Sequence, residues 1–447
     1  MRNWKTQYGF YFAAIGSAFG LGNLWRFPYV VGQNGGGAFV LLYVLVALVL
    51  GLPLMIGELV LGRNQRSALV PATHNLSRST QMNFAWIGKV GLGFTMLLLA
   101  YYSVISGWVL YFLIQYLRNL VTSSSESLSL SSVTGHPFLQ VALTSVHLIF
   151  CTIVVGKGVQ QGTERWIGAL TPLFGLLLAF LVYESVSLPH ATLALHYLFY
   201  PKFSDLTWFS LGQAVGHVCF TLSVGFGVMV TFGSYMRGNE QVPTMGLRLT
   251  LLDTLLSIGA GLLIFPIAMS VASVPLKDPG LLFEAMPAFL LRQRGGEAFG
   301  AAFFLCLYVA AVGGSVGLFE AVVSNIISVG RKSRPQMTTF GAGLVFVLSC
   351  FAVFAGPYLD SNAGTGTGAV VLFDNLLMNW LIPLSALGIC WTLIKGMSRT
   401  ELEQAFFEQD SIASGALYPH WRIAVRWIIP GLIVGGLLLQ VVGVTLA

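Results

Sequence analysis

Four ionisable side chains lie deep inside long apolar runs of this sequence: Arg26, Glu58, Asp253 and Glu320. Each costs about 2.5–3.5 kcal/mol at the centre of a bilayer, so each requires a partner. A structural ion pair and a direct part in binding both meet that requirement. Asp253 stands apart because Thr250 and Ser257 share its helix face, one turn to either side. Two other segments are rich in glycine and hydroxyl residues within apolar surroundings. One reads Gly16-Ser17-Ala18-Phe19-Gly20-Leu21-Gly22-Asn23, the other Phe220-Thr221-Leu222-Ser223-Val224-Gly225-Phe226-Gly227. One such segment alone is as readily explained by close packing of helices through small residues. Two, half a chain apart, point to breaks in helices, since glycine is a poor helix former. Unwound backbone at membrane depth has to line a polar site. Half-helix ends there offer N–H groups to an anion and carbonyls to a cation. Bond-making chemistry has no comparable signature: there is no HExxH and no pair of catalytic carboxylates, and the histidines are dispersed. Cys151, Cys219, Cys306, Cys350 and Cys390 all sit in apolar stretches without CxxC spacing, as small buried hydrophobes do.

The elements that position these residues must cross a membrane. The chain has 447 residues, 55% hydrophobic and only 9% charged, against about 25% charged in a soluble domain. There are too few charges to coat soluble cores of this size, which excludes a soluble enzyme, a disordered chain and a nucleic-acid-binding domain. The net charge of +6 comes from basic residues scattered in short groups between apolar runs, not from a nucleic-acid-binding patch. A spanning helix needs about 20 apolar residues. Eleven segments qualify, near 9–31, 38–62, 84–117, 138–156, 165–186, 207–236, 243–273, 297–328, 338–356, 369–394 and 426–446. With the N-terminus inside, 17 of the 23 lysines and arginines fall on the inner side and 6 on the outer. That asymmetry places the N-terminus in the cytoplasm and, with eleven spans, the C-terminus outside. The glycine-rich start, followed at once by Arg26, does not read as a cleaved signal peptide. No linker separates the spans, so residues 1–447 read as a single all-α polytopic membrane domain. The broken segments each begin a five-span block, about 9–186 and 207–394, with an extra helix near 426–446. That is the pattern of a 5+5 inverted repeat with broken helices 1 and 6, its site lying where the blocks meet.

Gly20-Leu-Gly-Asn-Leu-Trp-Arg-Phe-Pro28, followed by Asn34-Gly-Gly-Gly-Ala-Phe39, strongly resembles the start of neurotransmitter:sodium symporters. The segment Phe220–Gly227 resembles their sixth helix, and the similarity runs from about Trp4 to Trp427. The eleven-span count is similar to that of a bacterial subgroup of this family, which is itself a type example of the inverted-repeat fold. The resemblance implies a bacterial inner-membrane carrier that imports a neutral amino acid with Na⁺ by alternating access. It implies a first sodium site made by Ala18 (carbonyl), Asn23, Thr221 and Asp253, completed by the substrate carboxylate. Chloride-dependent members carry a neutral residue where Asp253 stands, so chloride independence is implied, although Ser257 matches a serine of those members. The implied substrate pocket takes in Ser17, Ala18, Leu21, Gly22, Leu98, Tyr102, Phe220, Thr221, Ser223, Phe226, Gly314 and Leu318. Leu21 and Gly22 would offer N–H groups, and Tyr102 its hydroxyl, to the substrate carboxylate. Ser17, Phe220, Thr221 and Ser223 would turn carbonyls to its ammonium. Gly20 replaces the aspartate of monoamine carriers, which favours a zwitterionic amino acid with a neutral, hydrophobic or aromatic side chain.

The implied outer gate pairs Arg26 with Asp374, with Tyr102 and Phe220 closing over the substrate. An inner gate would involve Arg2 and Trp4 near Ser234 and Tyr235, with an unassigned acidic partner. Gly162 and Pro172 bracket nine residues, like a family feature whose unwinding hydrates an ion site from inside. Two departures stand out. A second sodium site would use Gly16, Phe19, Ala310, Gly313 and Gly314, but the family has adjacent hydroxyl residues at the last two positions. Ser315 could substitute only after a helix rotation of about 100°. The same glycines, with Gly317, would enlarge the pocket. One sodium is therefore expected and the second is in doubt. His217 stands where the family has glutamine beside the gate arginine, which raises pH sensitivity as a hypothesis. The alternative reading is an amino-acid sensor on the same fold that binds without net transport.

Overall fold

The computed structural model describes residues 7–122, 128–236, 241–271, 280–290, 293, 295–329, 333–359, 368–406 and 412–446. Among them, nine helices are long and apolar enough to cross a membrane. These are Gly37–Gln65, Ala85–Thr122, Pro137–Gly156, Val159–Val186, Val242–Met269, Gly296–Ser328, Arg334–Tyr358, Gly368–Gly396 and Leu417–Val442. Two more spans are each made of two shorter helices. The first joins Gln7–Ala18 to Gly22–Gln33 through a bend at Phe19–Gly20. The other joins Ser210–Thr221 to Val228–Ser234 through unwound residues 222–227. In chain order these eleven are spans 1 to 11, with spans 1 and 6 broken, and spans 1–5 and 6–10 form the two repeats.

The unwound stretch of span 6 is written in its residues. Ser223, Gly225 and Gly227 take φ of 54°, 94° and 86°, a region that penalises any residue with a Cβ except where local contacts hold it. Burial separates core from periphery. The most apolar windows of spans 3 and 8 are 78% and 83% buried, whereas those of spans 5 and 11 are 22% and 28% buried. Spans 5 and 11 therefore turn most of their side chains outward, as lipid-facing helices do. Spans 3 and 8 pack against each other, and span 8 also packs on spans 1 and 5. Both breaks thus lie inside protein, where unwound backbone is tolerated.

Two boundaries differ from expectation. Span 11 begins at Leu417, nine residues before 426, because Tyr418 and Trp421 pack their rings on Phe406 at 5.4 and 5.1 Å. Pro419, His420 and Arg422 dilute the hydropathy of that turn without preventing the helix. Span 5 begins at Val159 with a wide turn to Thr163 and is helical from there past Pro172. The nine residues after Gly162 are thus wound here, not open. The helix Leu69–Thr80, between spans 2 and 3, buries one stripe (Leu69, Val70, Ala72, Thr73, Leu76) and leaves its other face polar.

Candidate functional site

The two breaks face each other across one small cavity. It is lined by Ser17, Ala18, Gly20 and Gly22 of span 1, Tyr102 of span 3, Phe220, Thr221, Ser223 and Phe226 of span 6, and Gly314 and Leu318 of span 8. Ten of the twelve pocket residues expected from sequence are in that lining. Leu21 contributes through its backbone: its N–H donates to the Tyr102 hydroxyl at 2.9 Å. The phenol proton is left to point elsewhere. Leu98 is fully buried but outside the lining. It shares a face with Tyr102, yet four residues of helix are about 6 Å, and so small a cavity reaches only one of the two.

Glycines set how closely the walls approach. A Cβ on Gly20 would stand 2.5 Å from the Tyr102 hydroxyl oxygen, and one on Gly314 would stand 2.3 Å from it. Gly20 therefore leaves the Tyr102 hydroxyl in the place an added side chain would take. Gly317 does not widen the cavity. A Cβ there would meet Ser17 Oγ at 1.9 Å, so Gly317 lets spans 1 and 8 touch. Tyr102 and Phe220 meet edge to face, with ring centroids 6.4 Å apart, a preferred aromatic geometry.

Beside the cavity lies a buried carboxylate. Asp253 is 0% exposed. Its Oδ1 accepts from Asn23 Nδ2 at 2.7 Å, and its Oδ2 from the Tyr43 hydroxyl at 3.1 Å. Ser257 Oγ completes the cluster, 2.9 Å from both Asn23 Nδ2 and the Tyr43 oxygen. The buried Thr221 hydroxyl faces the same carboxylate without a well-formed hydrogen bond among the described residues. Thr250 Oγ1 is buried and equally unpaired. Among the described residues no basic side chain pairs with Asp253. A buried carboxylate without a counter-charge is costly. Oxygen donors around such a carboxylate fit a hard cation, and no cluster of three or more His, Cys, Asp or Glu among the described residues offers a transition-metal site.

At the second implied ion position the carbonyls are present and the two hydroxyls expected from span 8 are not. Gly16, Phe19, Ala310 and Gly313 line a narrow cleft with Thr171 of span 5. A Cβ on Gly313 would lie 2.4 Å from the Gly16 carbonyl oxygen and 3.7 Å from that of Phe19. Gly313 thus faces the carbonyls with nothing to offer them, and spans 1 and 8 close up through its absent side chain. Ser315 does not compensate. Its Oγ is 2.8 Å from His147 Nε2 on span 4, on a different side of the helix. Gly313-Gly314-Ser315-Val316-Gly317 also spells GxSxG, but it stays inside a continuous helix, without the strand-to-helix turn of a nucleophile elbow. His147 Nδ1 has no partner among the described residues, so the Ser–His pair lacks an orienting acid as well.

Above the cavity, Arg26 and Asp374 form an ion pair in which one donor is shared: Arg26 Nε lies 3.0 and 3.1 Å from the two carboxylate oxygens, and the residues are 1% and 3% exposed. Tyr29 and Tyr101 also donate to Asp374, at 2.7 and 3.4 Å. Arg26 Nη1 reaches His217 Nδ1 at 3.1 Å. Since arginine can only donate, His217 accepts at Nδ1 and carries its proton on Nε2. The imidazole is neutral in this arrangement, flanked by Phe27 and Tyr43 rings at 5.6 and 5.3 Å.

On the opposite side of the cavity, Glu320 is fully buried and draws together three spans. It accepts from Thr163 Oγ1 at 3.0 Å and the Tyr235 hydroxyl at 2.9 Å, and pairs with Arg334 at the start of span 9. Arg2 and Trp4 lie outside the described residues. Ser234 is buried and donates to Thr231. Glu58 accounts for the break in span 6: its carboxylate accepts from the backbone N–H groups of Gly225 and Val230. The sequence marks Glu58 and Glu320 as needing partners but does not say which. Tyr43 is not marked at all, because a tyrosine in an apolar helix carries no signal of its own.

The chain matches known proteins over nearly its whole length. The profile of the sodium:neurotransmitter symporter family covers residues 1–128 and 125–445. An uncharacterised sodium-dependent transporter of Bacillus subtilis, YhdH, is 32% identical over 431 residues, 96% of this chain and 95% of that one. The sodium-dependent serotonin transporter of Drosophila melanogaster is 25% identical, over 96% of this chain and 74% of its own. Among solved structures, MhsT in complex with L-phenylalanine superposes with a TM-score of 0.89 at 29% identity, covering 98% of this chain and 99% of the other.

Proposed function

Because the chain belongs to the sodium:neurotransmitter symporter family, whose members here are sodium-dependent membrane transporters, we propose that it imports a neutral, hydrophobic or aromatic α-amino acid with Na⁺. The observation that carries this reading is Asp253. It is a buried carboxylate with no basic partner among the described residues, ringed by Asn23, Tyr43, Ser257 and Thr221, next to the cavity at the two helix breaks. Na⁺ would be held by Asp253, Asn23, Thr221 and the Ala18 carbonyl, and the substrate carboxylate would close its shell. The substrate carboxylate would take the free proton of the Tyr102 hydroxyl and the Gly22 N–H, and the Leu21 N–H once it leaves the Tyr102 oxygen. Its ammonium would meet carbonyls of Ser17 and span 6, and its side chain Phe226 and Leu318. The fixed charge of Asp253 makes chloride unnecessary. The whole chain acts as one domain, two repeats (about 9–186 and 207–394) plus the last helix, in the inner membrane with its N-terminus in the cytoplasm.

Alternating access would use the two polar clusters as gates. Arg26–Asp374 with Tyr102 and Phe220 closes the outer path, and Glu320–Arg334 with Tyr235 supplies the inner acidic group that the sequence leaves unassigned. The deciding experiment is binding of radiolabelled tryptophan and leucine to the purified protein across a Na⁺ titration, with choline as replacement and no chloride. Saturable binding with a Hill coefficient near one is expected. A coefficient near two would mean that a second ion binds despite Gly313 and Gly314. Binding indifferent to Na⁺ would sink the coupling as stated, and binding without net flux in vesicles would make the protein a sensor.

Two variants extend the test. Alanine at Gly313 drives a methyl into the Gly16 carbonyl at 2.4 Å. Overpacking of this kind costs about 1–3 kcal/mol of stability, so the melting temperature should fall while Na⁺ stoichiometry stays unchanged. For His217, a second proton removes the acceptor at Nδ1 and sets a cation against Arg26. Asp374, Tyr29 and Tyr43 are the other polar groups packed around that contact. A second charge on an imidazole buried against Arg26 is strongly disfavoured, so uptake should weaken only in strongly acid medium, and His217→Gln should flatten that limb. An unchanged pH profile would remove His217 from any such control.

A further inference from the structure

Three arginines converge on one cleft far from the amino-acid site. Arg399, Arg422 and Arg426 line it, and its remaining wall is apolar, with Leu393, Met397 and Trp421 among the lining residues. The cleft lies where span 10 ends and span 11 begins. Arg422 and Arg426 are four residues apart on span 11 and open onto the same space. Arg399 is tied to Glu403 at 2.7 Å, and the N-terminus of its own helix is capped by Ser398 and Glu401. Arg422 and Arg426 have no acidic partner among the described residues. Arg426 lies over the Trp427 ring at 5.4 Å. Trp427, Ile423 and Ile428 beside them are 67%, 54% and 40% exposed, an apolar surface that the membrane covers.

We propose that this cleft binds the phosphate headgroup of an anionic phospholipid. Charge and position both argue for it. Guanidinium groups match phosphate oxygens in bidentate geometry and give up their hydration more readily than ammonium groups. Two arginines with no acidic partner among the described residues, beside an apolar cleft, suit a ligand that is anionic at one end and hydrocarbon at the other. The outward-facing Ile423, Trp427 and Ile428 provide the surface along which acyl chains run. Basic pockets between spanning helices are the form such recognition takes, and Trp427 sits as interfacial tryptophans do. The buried Trp421 indole is already committed, donating to the Pro53 carbonyl at 2.9 Å, so it forms a fixed wall and does not compete for the headgroup.

The test uses the full-length protein, delipidated in neutral detergent, with thermal unfolding and native mass spectrometry as readouts. Phosphatidylglycerol and phosphatidylcholine with the same acyl chains are compared, alongside inorganic phosphate. Phosphatidylglycerol should raise the melting temperature and bind about tenfold more tightly than phosphatidylcholine. Arg422→Gln/Arg426→Gln should erase that preference. Arg78→Gln/Lys89→Gln, which removes exposed basic groups outside the cleft, should keep it. If the double variant does not fold, Arg426→Gln alone carries the test. Equal binding of the two lipids, or equal loss in the Arg78/Lys89 control, overturns the proposal. Stabilisation by inorganic phosphate that matches the lipid would assign the cleft to a free anion and overturn the lipid assignment.

Discussion

Replacing Asp253 by asparagine should lower the affinity for Na⁺, and with it Na⁺-dependent amino-acid binding, by at least about a hundredfold. Two unit charges about 4 Å apart interact by about 4 kcal/mol at an effective dielectric constant near 20, which alone is about a thousandfold. The amide keeps one oxygen as a ligand and returns part of that. Asparagine also brings donors into a cluster already supplied by Asn23 Nδ2 and the Tyr43 hydroxyl, so the fit worsens as the charge is lost. Binding titrations against Na⁺ measure the shift. A chloride series measures its cause. If charge is what Asp253 provides, a variant with a small neutral residue, Asp253→Ser, should regain part of its affinity in chloride and none in gluconate. An Asp253→Asn protein that binds Na⁺ as tightly as the parent would show that the ion is held elsewhere.

Asp374→Asn should have the second large effect, on both stability and transport. The guanidinium of Arg26 is 2% exposed at its side chain and its pairing partner 5%. Removing one member of a buried pair costs about 3–5 kcal/mol, because the other charge is left uncompensated. Tyr29 and Tyr101 donate to different oxygens of the carboxylate, so one of them would lose its acceptor and face an amide donor instead. Melting temperature and uptake should fall together. Arg26→Gln/Asp374→Asn should recover much of the stability, since no buried charge is stranded, but not the uptake, since the outer closure is missing. Recovery of both would reduce the pair to a structural contact.

The two breaks are legible in the sequence because each needs the same uncommon residues, glycines and hydroxyls, at a depth where the chain is otherwise uniformly apolar. Asp253 and Ser257 are legible as one face because helical spacing puts them there. Their relation to Tyr43 is not, since nothing in span 2 says which way a tyrosine points once three spans pack around it. Glu320 signals a need for a partner but not its source. Arg334 is only fourteen residues on, yet it comes from the next span, and Tyr235 and Thr163 come from two others. Leu98 fails in the other direction: helical phase places it correctly, but phase carries no information on how far a cavity extends along a helix. Ser315 shows why the loss of hydroxyls at Gly313 and Gly314 has no remedy readable from sequence. Its distance from the ion position follows from helix geometry, whereas its engagement with His147 depends on the packing of span 4.

Glu58 reaches from span 2 to hold the open backbone of span 6, and below it the two helices meet without intervening side chains. A Cβ on Gly62 would stand 1.9 Å from the Val230 carbonyl oxygen, and one on Gly233 would stand 2.6 Å from that of Leu59. The lower half of span 6 is thereby clamped to span 2 at three heights. It cannot swing as a free lever. Any motion that opens the cavity downward must carry span 2 with it as one rigid body, and the bending must fall on residues 222–227. The molecule's hinge is then a fixed address of six residues, and the carboxylate of Glu58 is its pin.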